Sequence, residues 1–190
     1  MRDPTKPYPT DYLLGATVLK LIPRRVRPNH VTVLRMLATP LVVWLIASGN
    51  FRWGIPVFLF VAFTDAVDGA MARLRNQVTE WGTIYDPVAD KLLIGSLVFV
   101  VVLKYIHPFV GIALLAVESA FIIGGYVSLK RGTLRPANIW GKIKMALEVA
   151  GITLLLIGVA SGMDFIFHIS IGTFILALAF AVVSLVTHGI

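Results

Sequence analysis

Asp65, Asp68, Asp86 and Asp90 are four of the ten carboxylates in a chain of 190 residues, and one short stretch holds all of them. Asp65 and Asp68 stand at i,i+3 and Asp86 and Asp90 at i,i+4, spacings that put each pair on one face of a helix. Apolar runs lie on both sides, at 55–63 and 92–103, so two helices are expected to carry these acids at ends that meet across a short connection. Four like charges brought together repel unless a cation lies between them. Carboxylate oxygens are hard ligands suited to Mg²⁺, Mn²⁺ or Ca²⁺. Gly69 and Gly82 remove side chains where a ligand or a second backbone comes close. Arg73 adds a planar cation shaped for phosphate. Such a set is suited to a diphosphate bridged by metal. Two ions sharing a carboxylate would neutralise both the attacked phosphoryl group and the leaving group, and a carboxylate not saturated by metal can take a proton from an incoming hydroxyl. Helix capping accounts for Asp86 in a first turn, but not for Asp65 and Asp68 near a helix C-terminus, where the dipole disfavours acids.

The elements that must position these residues are membrane helices. Hydrophobic residues make up 57% of the chain and charged residues 14%, where a soluble domain carries about a quarter charged; the mean hydropathy is +0.85. With no cysteine, disulfides and thiolate metal sites are excluded. No leader with an early apolar core is present, so the first span is expected to serve as the targeting element. Residues 1–10 hold Pro4, Pro7 and Pro9 and are expected to be an extended arm. Residues 11–21 show an apolar pattern of helical period too short to span, which predicts a helix lying in the membrane interface. Pro23-Arg24-Arg25-Val26-Arg27-Pro28 follows, a basic elbow that suits anionic head groups and also sets topology. Six spans are expected, at 31–47, 53–71, 83–104, 109–129, 139–159 and 165–186, each of roughly the length a bilayer core requires. The expected fold is therefore an all-α integral membrane protein: six transmembrane helices plus an N-terminal interfacial amphipathic helix. Residues 1–28 form the arm and interfacial helix, and 29–190 the six-helix transmembrane catalytic domain. Gly111, Gly124 and Gly125 are candidates for close helix packing.

The net charge of +7 is a topology signal and not a nucleic-acid footprint. With the N-terminus inside, only Arg52 and Lys104 of the 17 Lys and Arg residues fall on the outer side. The positive-inside rule then puts both termini and all four aspartates on the cytoplasmic side of the cytoplasmic (inner) membrane.

The ordering D-x2-D-G-x2-A-R-x8-G-x3-D-x3-D, filled here from Asp65 to Asp90, resembles the signature of the CDP-alcohol phosphatidyltransferases. The resemblance implies a membrane enzyme of phospholipid biosynthesis that binds CDP-diacylglycerol with its pyrophosphate on two Mg²⁺ or Mn²⁺ ions. A small alcohol displaces CMP and takes the phosphatidyl group. It further implies Asp65, Asp68 and Asp86 as principal metal ligands, and Asp90 as general base that also touches the second metal. Gly69, Ala72, Arg73, Thr79 and Gly82 would line the nucleotide, and the enzyme would be a homodimer. Asn29-His30-Val31-Thr32 resembles the family's first-helix Asn-x-x-Thr element, which gives Asn29 and Thr32 a contact to the cytidine; the alternative is an N-cap for the first span.

For the acceptor, basic side chains on the same side would suit an alcohol bearing its own phosphate. Arg131, Arg135, Lys142 and Lys144 are the candidates. Asn138-Ile139-Trp140-Gly141-Lys142-Ile143-Lys144 resembles the Gly-Lys-x-Lys element of phosphatidylglycerophosphate synthases, whose acceptor is glycerol 3-phosphate. Val117-Glu118 stands where those synthases carry Arg-Glu, so a phosphate-binding arginine is missing unless Arg131 or Arg135 supplies it. Inositol phosphate is the alternative acceptor. Glu148 lies i,i+4 from Lys144 and is placed to pair with it. The rival from another class is a divalent-cation transporter, which would need acids near the bilayer midplane or along a continuous polar path.

Overall fold

A computed structural model describes residues 7–130 and 139–188. Among them every regular element is helical: α1 (Pro9–Ala16), α2 (Val18–Leu21), α3 (Pro28–Ala47), α4 (Phe51–Leu74), α5 (Glu80–Leu97), α6 (Leu103–Tyr105), α7 (Pro108–Lys130), α8 (Ile139–Ser161) and α9 (Asp164–His188). The chain is an all-α membrane protein. Five helices (α3, α4, α8, α9 and Pro108–Gly125 of α7) are long and apolar enough to cross a membrane. The expected third span also exists as a helix, but composition alone does not make it a crossing, because α5 carries Glu80, Asp86, Asp90 and Lys91. It continues through a π-helical turn, Val98–Val102, into α6. The Val-Phe-Val-Val-Val run suits such a widened turn, since β-branched side chains crowd the preceding turn of an α-helix.

The chain divides into two compact units, Met1–Trp44 with Pro56–Leu93, and Leu45–Ile55 with Ile94–Ile190. In the first unit, α1 and α2 pack through an apolar cluster. Leu19, Val31, Val67, Ala70 and Met71 are buried in it, and Leu14, Val18, Ile22, Val26 and Leu74 close around them. The interfacial helix expected at 11–21 differs in two ways: it begins at Pro9 and it breaks at Thr17. There the backbone leaves helical geometry, while both the Thr17 N–H (3.2 Å) and its Oγ1 hydroxyl (2.7 Å) donate to the Leu13 carbonyl. The guanidinium of Arg75 then ties the following turn to the end of α4, donating to the carbonyls of Leu19, Ile22 and Val26. Asn76 takes positive φ (53°) to end that helix, a role Asn fills with little strain.

In the second unit, α8 and α9 form a hairpin turned at Gly162, whose φ is +67°. Small residues set its closeness. A Cβ on Gly151 would lie 2.9 Å from the Phe174 ring, and one on Gly158 would lie 3.0 Å from the Phe167 backbone. Of the glycines expected to pack closely, Gly111 does so against Leu103, whereas Gly125 faces open space.

Candidate active site

The first unit gathers all four signature aspartates around one side chain from α3. Arg35 is buried, and its guanidinium donates from Nη1 to Asp65 (2.7 Å) and to Asp90, and from Nη2 to Asp68. Asp65 and Asp68 project from the last turns of α4, and Asp90 from α5. Their exposure is graded: the Asp68 side chain is 2% accessible, Asp90 19% and Asp65 31%. Asp86 joins through a hydroxyl. Thr32 Oγ1 donates to Asp86 Oδ1 at 2.6 Å, with Asp68 Oδ2 at 3.3 Å from the same oxygen. Thr32 and Arg35 stand at i,i+3 on α3, so one helical face serves all four acids.

Arg35 was not among the residues singled out for chemistry. The signal was in the sequence: a lone charge within an otherwise apolar span is costly there and marks a functional position by default. Its Nε is buried without a hydrogen-bond partner, so the group is aimed at the carboxylates with one of its donors left unsatisfied.

The nucleotide candidates form a second group beside the acids. Thr79 Oγ1 donates to Asn29 Oδ1 (2.9 Å) and accepts the Gly82 N–H (3.0 Å). A Cβ on Gly82 would fall 3.2 to 3.4 Å from Thr79 Oγ1, Asn29 Oδ1 and Asp86 Oδ2. The missing side chain therefore keeps open the spot where those three oxygens converge. Asn29 and Thr32 lie inside α3, which starts at Pro28. The residue before that start is Arg27, and its N–H donates to His30 Nδ1 (3.3 Å). Ala72 contributes only its carbonyl, which accepts the Gln77 N–H.

Arg73 points to an acid outside the signature. Its Nε and Nη2 bind both oxygens of Asp11 in α1, at 2.7 and 2.9 Å, and its guanidinium lies 5.0 Å from the Tyr8 ring centroid.

The acceptor candidates fall elsewhere. Arg131 and Arg135 lie outside the described residues. Lys142 and Lys144 belong to the second unit. There Lys142 is exposed, and Lys144 is buried with ion pairs to Glu148 (3.0 Å) and to Glu118 of α7, and with the Phe121 ring 5.1 Å away. The i,i+4 partner expected for Lys144 is therefore present and is joined by a second acid.

Among the described residues, no three Asp, Glu, His or Cys side chains stand arranged to hold a cation; the guanidinium of Arg35 stands between the acids instead. The donor set nevertheless fits a hard divalent ion by type. It consists of carboxylate oxygens with one threonine hydroxyl, and the four acids outnumber the single guanidinium among them.

A family model described as CDP-alcohol phosphatidyltransferase matches residues 25–187. Proteins described as CDP-diacylglycerol–glycerol-3-phosphate 3-phosphatidyltransferase are similar to this chain. One from Rickettsia typhi is 30% identical over 158 residues, covering 80% of this chain and 87% of its own length. One from Aquifex aeolicus is 30% identical, covering 72% and 78%, and one from Bacillus subtilis is 30% identical, covering 68% and 76%.

Proposed function

Because the chain belongs to the CDP-alcohol phosphatidyltransferase family, we propose that it transfers the phosphatidyl group of CDP-diacylglycerol to glycerol 3-phosphate and releases CMP. The observation that carries this reading is the convergence of Asp65, Asp68, Asp86 and Asp90 on one spot in a membrane protein. The acceptor is taken from the similar proteins, whose descriptions name glycerol 3-phosphate. Membership in a transferase family displaces the cation-transporter reading.

Asp65, Asp68, Asp86 and Asp90 would hold Mg²⁺ or Mn²⁺, in two ions. When bound, the metal supplies positive charge to the diphosphate and to the departing phosphate. Around it the chain does four things. Thr32 fixes the rotamer of Asp86 by its short hydrogen bond. Asn29, Thr79 and Gly82 form the oxygen-lined recess for the nucleotide. Arg73 presents a guanidinium to a phosphate. Asp90, only partly accessible, takes the proton of the acceptor hydroxyl as its oxygen bonds the phosphatidyl phosphorus and the bond from that phosphorus to CMP breaks. Of the residues expected to supply cations for the phosphate of the acceptor, Lys142 would do so, whereas the Lys144 ammonium is already paired with Glu118 and Glu148; Arg131 and Arg135 lie outside the described residues. The active site and both termini would lie on the cytoplasmic side of the inner membrane, a reading supported by the distribution of Lys and Arg, and the resemblance to the family supports a homodimer.

The experiment is CMP release by the detergent-solubilised protein with CDP-diacylglycerol and Mg²⁺. The acceptor arms are glycerol 3-phosphate, inositol phosphate, inositol and serine, with a no-acceptor control. Release with glycerol 3-phosphate alone is expected. Release with inositol phosphate alone replaces the acceptor and keeps the chemistry; metal flux into proteoliposomes without CMP release overturns both.

A further inference from the structure

Arg73 differs from the signature aspartates in that the group binding its charge, Asp11, precedes the matched region. The family model begins at residue 25; Asp11 lies in α1, before it. The Asp11 carboxylate is almost fully buried (2% accessible). It accepts hydrogen bonds from the Tyr8 N–H at 2.7 Å, from Arg73 Nε at 2.7 Å and from Arg73 Nη2 at 2.9 Å. The first of these ties Asp11 to the start of its own helix, so the carboxylate is fixed before it meets the arginine.

A guanidinium offers two edges for bidentate binding. Asp11 takes the Nε/Nη2 edge. The Nη1/Nη2 edge keeps Nη1 and the second Nη2 proton for another anion. A Cβ on Gly69 would lie 3.2 Å from Nη2 and 3.3 Å from Nη1, so the bare backbone of Gly69 lets the guanidinium fold back over its own helix. The ring of Tyr8 lies against it from α1. A free arginine side chain samples many rotamers, and ordering it on binding a ligand costs entropy. Here much of that freedom is removed before any ligand arrives, by a helix that the buried Leu19 cluster pins to α4.

We propose that Asp11 is a positioning residue: from the N-terminal helix it holds Arg73 so that the free edge of the guanidinium meets a phosphate of the CDP-lipid donor. This rests on the reading above that Arg73 binds the donor. The N-terminal helix is thereby part of the donor site, through a carboxylate that touches no substrate.

The test is steady-state kinetics on Asp11→Asn, Asp11→Glu and Arg73→Gln, with CDP-diacylglycerol and the acceptor varied in turn and the thermal midpoint recorded for each. Asp11→Asn keeps the shape and one hydrogen bond but loses the charge. It is expected to raise KM for the donor by about tenfold, with kcat and the acceptor KM within twofold. Asp11→Glu, which restores the carboxylate, should recover part of that rise. Arg73→Gln should raise the donor KM at least as far. If Arg73→Gln leaves the donor KM unchanged, Arg73 is not a donor ligand and the underlying reading fails with the inference. If Arg73→Gln raises it and Asp11→Asn does not, the inference alone is overturned. A lower kcat and thermal midpoint with unchanged KM would make Asp11 a strut. A fall in donor KM would make it a competitor for the phosphate. Either result rejects the proposal.

Discussion

Removing the guanidinium of Arg35 should make the stability of this protein depend on divalent metal. The Arg35 side chain is fully buried and pairs with three carboxylates, of which Asp68 is equally buried and Asp90 and Asp65 are partly open to water. Deleting one partner of a buried ion pair costs about 3–5 kcal/mol, because the remaining charge is left uncompensated. The partial exposure of Asp65 and Asp90 lets water screen them, which puts Arg35→Gln near the low end, about 3 kcal/mol. For a chain of this size each kcal/mol moves the thermal midpoint by about 2–4 °C, so the metal-free variant should melt about 6–12 °C below the parent. A cation that binds the folded state alone returns about 2.7 kcal/mol at one hundred times its dissociation constant. Saturating Mg²⁺ or Mn²⁺ should therefore close most of the gap, and the parent should gain less from the same addition. The assay is thermal melting in detergent with EDTA and with metal. An equal loss in both conditions, or no loss in EDTA, would refute the idea that Arg35 is the counter-charge of the metal-free cluster.

Three other substitutions probe the same machinery. Asp90→Asn should abolish turnover while CDP-diacylglycerol binding, measured by equilibrium dialysis without acceptor, stays within about threefold; normal turnover would remove Asp90 as the base. Lys142→Ala should raise KM for glycerol 3-phosphate by about tenfold or more and that for the donor by less than about twofold; equal effects would assign Lys142 to packing or lipid contact. Gly69→Ala puts a methyl 3.2 Å from Arg73 Nη2, closer than nonbonded carbon and nitrogen prefer. It should weaken donor binding by about three- to tenfold with little loss of thermal stability, and unchanged donor affinity would show that Arg73 has room to yield.

The aspartates and the membrane helices were legible in the sequence for the same reason: both are local patterns. Spacings of three and four residues place Asp65 with Asp68 and Asp86 with Asp90, and apolar runs bounded by Gly, Pro and charge mark the spans to within a few residues. Beyond the grouping of Asn29 and Thr32 with the signature that the family resemblance implied, contacts between segments distant in sequence were not legible. Asp11 and Arg73 are 62 positions apart, and nothing near either one names the other. Arg35 was visible only as a cation that helped to set topology; its three partners lie 30 to 55 positions away. Lys144 was readable with Glu148 one turn along, but not with Glu118 on α7, 26 positions away. The break at Thr17 is a change of backbone geometry at one residue, which a hydropathy pattern does not register. The charge of α5 has the opposite effect: the acids that reveal the site are what make that helix the least span-like of the long ones.

The pairing of Asp11 with Arg73 also has a biosynthetic consequence. A bacterial or eukaryotic ribosome adds about 5–20 residues each second. The 62 positions between the two residues therefore correspond to roughly 3–12 s of synthesis during which the N-terminal helix exists without its arginine. Over that interval the Asp11 carboxylate lacks its arginine, so it stays hydrated and the helix rests on the membrane surface or in solvent. Although made before α3 and α4, α1 is thus among the later helices to reach its final place, and it does so only after the end of α4 has emerged. Nascent chains that stop short of Arg73 should leave the N-terminus open to protease, and chains that extend past it should close it.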